Sequence, residues 1–165
     1  MKNILISIDK LNEYDMFVSE VIDIVDNYVE KGWGVDIYTH TCKSSIKNII
    51  SNKNPANITF IAQDFTDFKE KYDALWVYRG YIPEKLSTYI NEHHQDINVY
   101  FRHFYEYSDL YIPYGCDVEN DSPGISIALS EVSQHSLEKK GIDSARIKVL
   151  QFCSNKQYFE YPSAL

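Results

Sequence analysis

Short runs of branched apolar residues alternate along the chain with stretches whose apolar positions recur at helical spacing. Residues 3–8 (NILISI) are continuous enough and branched enough to read as a buried strand. Residues 9–15 (DKLNEYD) follow as a polar loop. Residues 16–31 carry the clearest helical pattern. Val18, Val21, Ile22, Val25, Tyr28 and Val29 fall on one face, and Glu20, Asp23, Asn27, Glu30 and Lys31 cover the other. Gly32 ends the helix, and residues 35–39 form a second strand. The unit 2–40 is therefore β-α-β. Its crossover is expected to be right-handed and its strands parallel.

The alternation continues. Residues 43–52 predict a helix with Ile46, Ile49 and Ile50, broken by Asn54 and Pro55. Strands are expected at 58–62, 72–78 and 97–103, with a helical turn at 65–71. Pro83 suits the first turn of a helix carrying Leu86, Tyr89, Ile90 and His93. Residues 104–124 show no periodicity and are rich in Tyr, Asp and Pro, a long stretch without a pattern. The chain closes with a strand at 125–129, a helix to Lys140 stopped by Gly141, and a strand at 146–152. Ser130 is placed to cap that last helix, and Glu131 sits where the helix dipole favours an anion. Strands alternating with helices predict an α/β fold: a doubly wound, mostly parallel sheet of about seven strands with helices on both faces, Rossmann-like, in the order 3-2-1-4-5-6-7.

Composition narrows the function. A chain of 165 residues is one domain with room for a real core. A net charge of −8 argues against nucleic acid and against contact with anionic membrane surfaces. Residues 1–3 lead straight into a strand, without the apolar run of a signal peptide, so a cytoplasmic setting is expected. Cys42, Cys116 and Cys153 are odd in number and widely spaced, which suggests neither a disulfide framework nor a zinc site. The fourteen tyrosines fit strand propensity and half-buried surface better than sugar stacking. No G-x-G-x-x-G or P-loop follows the first strand, and no nucleophile elbow is present, which disfavours dinucleotide binding, NTP binding and a small hydrolase.

In such a sheet, ligands sit beyond the carboxyl ends of the strands. That rule selects Asp9, His40, Arg79, Arg102 with His103, and Ser130 with Glu131. Asp9 could accept bonds from hydroxyl groups or cap its own loop. Arg79 and Arg102 could hold an anion bidentately or pair with one of the chain's carboxylates. His103, with a free pKa near neutrality, could orient or deprotonate a hydroxyl, or bond a backbone carbonyl. Tyr105 follows it in an aromatic, acidic run. Ser130 and Glu131 serve the helix start first and a site second. His40 has no supporting neighbour, and His93-His94 suits a helix C-terminus better than a metal.

The closing strand-helix-strand resembles the end of the N-terminal domain of GT-B glycosyltransferases, especially the family 4-like (group 1) enzymes. The matching residues are Ser130, Glu131, Leu137, Gly141, Ile142, Ile147, Val149, Phe159 and Pro162. Phe152 and Cys153 stand where the family has Asn-Gly, and Asn155 where it has Asp. The Gly-Gly that the family carries before the first helix is replaced by Asn12-Glu13-Tyr14-Asp15. The resemblance implies an acceptor-binding domain of a transferase that moves a sugar from a nucleotide-sugar to a glycan or lipid-linked acceptor, in surface polysaccharide synthesis. It implies His103 as the catalytic residue near the acceptor. Asp9, Arg79, Arg102, Tyr105, Ser130 and Glu131 would contact substrate. Residues 153–165 would begin a linker to a C-terminal domain that binds the nucleotide-sugar. It implies no metal and no cofactor in this domain. The alternative is a stand-alone, noncatalytic module that binds a sugar or a partner protein.

Overall fold

The computed structural model describes residues 1–12, 17–53, 55–61, 71–78, 82–102 and 124–150. Seven strands form one sheet in the order β3-β2-β1-β4-β5-β6-β7, every neighbouring pair parallel. The strands are β1 (Asn3–Leu11), β2 (Gly34–Cys42), β3 (Ile58–Ile61), β4 (Ala74–Tyr78), β5 (Asn98–Arg102), β6 (Ile125–Ala128) and β7 (Ile147–Val149). The helices are α1 (Val18–Glu30), α2 (Ser44–Lys53), α3 (Glu84–His93) and α4 (Glu131–Lys139). This is the doubly wound order that the alternation predicts. All but the last residue of the expected turn at 65–71 and nearly all of 104–124 lie outside the described residues.

Two strands run further than their hydrophobicity suggests. β1 continues through Asp9 and Lys10 to Leu11, and β2 through His40 and Thr41 to Cys42. The two pair with each other along this extension, Lys10 against Thr41 and Leu11 against Cys42, past the point where β4 stops following β1 at Ser7 and Val77. Ladder hydrogen bonds hold the polar residues there. At the other end of the sheet a short 3-10 turn, Ser144–Arg146, precedes β7, capped by Asp143 accepting from the Ala145 amide at 2.9 Å.

Side-chain alternation builds two cores. Ile4, Ile6 and Ile8 face Val21, Ile22 and Val25 of α1 and Ile46 and Ile50 of α2. Leu5, Leu75, Val77, Val99 and Phe101 face Leu86, Tyr89 and Ile90 of α3. Tyr72 pins the second layer: its amide donates to the Tyr89 hydroxyl, and its own hydroxyl donates to buried Asp36, both at 2.8 Å. A smaller cluster of Ala128, Leu137, Ile142 and Ile147 seats α4 on β6 and β7.

The ends of α4 follow from the sequence. Ser130 adopts extended backbone and its Oγ accepts from the Ser133 amide at 3.2 Å, the expected cap. Gly141 takes a φ of 94°. Its amide donates to Glu138 and the Ile142 amide to Leu137, with Ile142 packed on Leu137. That is a Schellman stop, and its left-handed residue favours glycine. Ser130→Ala and Gly141→Ala are each expected to lower stability by about 1 kcal/mol, read from chemical denaturation midpoints.

Candidate functional site

The first crossover puts β2 on one side of β1 and β4 on the other, so the topological switch point lies between β1 and β4. The carboxyl ends of β4, β5 and β6 line up beside it: Tyr78 pairs in register with Arg102, and Arg102 with Ile127. α1 starts at this edge, and its first turn brings Glu20 over the strand ends.

Arg102 is the centre of what forms there. Its side chain is 2% exposed and that of Glu20 15%. Arg102 Nε and Nη2 donate to the two Glu20 oxygens at 2.9 and 2.8 Å, a bidentate pair. Its Nη1 donates to the carbonyls of Ala128 at 3.3 Å and Leu150 at 3.1 Å. The Tyr78 hydroxyl donates to the same Glu20 carboxylate at 2.9 Å. Burial, and then the Glu20 charge, push that phenol well above its usual range, so Tyr78 stays protonated and serves as a donor. One guanidinium thus ties α1, β5, the end of β6 and the residue after β7 into a single edge.

Of the two roles open to Arg102, the ion pair with a carboxylate is the one realised. Glu20 is the residue that sequence reasoning missed. It falls on the polar face of α1 by periodicity, yet it turns inward to Arg102. An arginine closing an otherwise apolar strand signals that a carboxylate must come from somewhere. Nothing in the sequence says which.

The remaining candidates separate. Asp9 lies within β1 rather than in a loop, half-buried, and its carbonyl accepts from the Thr39 hydroxyl at 3.3 Å. His40 lies within β2 and is exposed. Ser130 is the helix cap described above, and Glu131 is exposed in the first turn of α4. Arg79, His103 and Tyr105 lie outside the described residues. Among the described residues no cluster of His, Cys, Asp and Glu is arranged to hold a metal ion, and no helix is long and apolar enough to cross a membrane.

The fold has counterparts among solved structures. HepE (Alr3699) of Anabaena, determined in complex with UDP and glucose, superposes with a TM-score of 0.62 at 11% sequence identity, over 92% of this chain. A glycosyltransferase from Rickettsia africae superposes with a TM-score of 0.58 at 17% identity, over 96% of this chain. The chain has a GT-B-like glycosyltransferase fold. It spans 44% and 45% of the lengths of those two chains. No protein-family model and no curated protein matches it in sequence. Among the described residues the sheet differs from its sequence expectation at element ends: β1 and β2 are longer, β4 begins at Ala74 rather than at 72, and β7 is three residues preceded by a 3-10 turn.

Proposed function

We propose that this chain is the acceptor-binding, N-terminal domain of a glycosyltransferase that moves a sugar from a nucleotide-sugar to a glycan or lipid-linked acceptor, in surface polysaccharide synthesis. The observation that carries the reading is the near-complete superposition of this chain on a little under half of HepE, a protein solved with UDP and glucose. A second domain would hold the nucleotide-sugar, and transfer would occur in the cleft between the two. The protein would work in the cytoplasm, where nucleotide-sugars are made, with residues 153–165 leading into the second domain.

The chemistry of the strand ends supports this. The Glu20–Arg102 pair fixes the last residue of β5, and His103 follows directly. His103 would orient or deprotonate the attacking hydroxyl of the acceptor. Asp9, Arg79, Tyr105, Ser130 and Glu131 would surround that acceptor, while Arg102 would act by holding the edge. Neither a metal nor a cofactor enters the proposed chemistry; the domain's role is to place the acceptor hydroxyl and keep water away.

The direct test is the size of the native polypeptide, by immunoblot of source cells with an antibody against this domain. A band at about twice the mass of this 19.3 kDa chain, or larger, is expected. A single band at 19.3 kDa would overturn the two-domain reading and leave a stand-alone binding module.

A further inference from the structure

The two faces of the sheet are covered unequally. α1 and α2 join strands that step one way along the sheet, β1 to β2 to β3. α3 and α4 join strands that step the other way, β4 to β5 and β6 to β7. The right-handed rule puts the two pairs of helices on opposite faces, and the cores agree. The other two crossovers, β3 to β4 and β5 to β6, step with the second pair, so the same rule assigns them to the face of α3 and α4. On the α1 face, Trp76, Tyr100 and Ile125 are successive register partners on β4, β5 and β6. All three are only partly buried, although parallel sheets are ordinarily covered on both faces. Among the described residues, α1 and α2 are the helices on this side, and the core they share takes its strand residues from β1 to β4.

The chain after β7 starts on this same side. The Leu150 amide extends the ladder to the Ala128 carbonyl at 2.9 Å. The Leu150 carbonyl accepts from Arg102 Nη1 at 3.1 Å, and Arg102 reaches Glu20 of α1 across that face. The Leu150 side chain lines a groove of about 260 Å³ together with Ile24 and Asn27 of α1 and Trp76 of β4. It is still 48% exposed, an apolar residue at the border of the open row. Residues 151–165 follow it. They carry Phe152, Tyr158, Phe159 and Tyr161, and their two charged side chains, Lys156 and Glu160, cancel in a chain of net charge −8. A segment of that length spans about 50 Å extended, or about 22 Å as a helix. Neighbouring strands lie about 4.8 Å apart, so either form can cross β4, β5 and β6.

We propose that residues 151–162 lie back across the α1 face, filling the groove and covering Trp76, Tyr100 and Ile125 with Phe152, Tyr158, Phe159 and Tyr161. The segment then belongs to the core of this domain and is not a free connector. A chain seated there can still lead onward from Pro162, so this proposal and the two-domain reading can fail separately.

In the full 165-residue chain, Phe152→Ala with Phe159→Ala is expected to lower the urea midpoint by about 1 M or more, the loss for aromatic side chains taken from a packed site. On a free connector the two changes would leave the midpoint unmoved. The chain has two tryptophans, so a Trp33→Phe background leaves Trp76 as the reporter. Acrylamide should quench Trp76 more strongly in a chain ending at Leu150 than in the full chain. Should the shorter chain fail to fold, the same comparison is made between the full chain and the double variant. An unmoved midpoint, or equal quenching in the two proteins compared, would overturn the proposal. Quenching of the full chain that falls as protein concentration rises would also overturn it, giving the face to a second copy.

Discussion

Glu20→Ala is expected to destabilise the protein by about 3–5 kcal/mol, a large share of the 5–15 kcal/mol that holds an ordinary domain. The loss comes from what remains. Arg102 is nearly sealed from water and would keep its charge, with two carbonyls in place of a carboxylate. The Tyr78 hydroxyl would lose its acceptor in the same step. Arg102→Met combined with Glu20→Leu removes both charges at similar volume and should recover most of the loss, because a buried pair contributes little beyond its own desolvation. Urea unfolding at unchanged m-value reads the difference. A single-variant loss under about 1 kcal/mol would mean that the edge is wet and the pair behaves as a surface one.

His103→Ala, made in a polypeptide that includes the proposed second domain, is expected to lower kcat by about 10²–10⁴-fold, the range for removing a general base. KM for the nucleotide-sugar should hardly move, since the donor would rest on the other domain. The unfolding midpoint should stay where it was, which separates lost chemistry from lost structure. A raised acceptor KM with kcat intact would recast His103 as a binding residue.

The sheet order was readable because the two periods are clean. NILISI and ALWVY are largely buried on both faces and almost wholly apolar, with Ser7 the one polar residue inside them, while α1 repeats its apolar positions every three or four residues. Ser130 and Gly141 were readable because each is the residue type that its backbone geometry requires. The extensions of β1 and β2 were not. Asp9, Lys10, His40 and Thr41 look like loop residues, and only their mutual pairing keeps them extended. Nor was the Glu20–Arg102 pair, because it joins positions 82 residues apart, and any of the 24 acidic residues could have supplied the carboxylate. Local pattern fixes elements; which side chains meet across the sheet depends on the packing angle of α1, which no local pattern contains.

In the proposed function this domain supplies the acceptor side of a two-domain transferase. The most direct test is sugar transfer from radiolabelled nucleotide-sugars to glycan and lipid-linked acceptors, comparing the 165-residue chain with the longer polypeptide. No transfer is expected from the chain alone and transfer is expected from a polypeptide with the proposed second domain, because the cleft would form only when both domains close on it. Transfer by the 165-residue chain alone would contradict it.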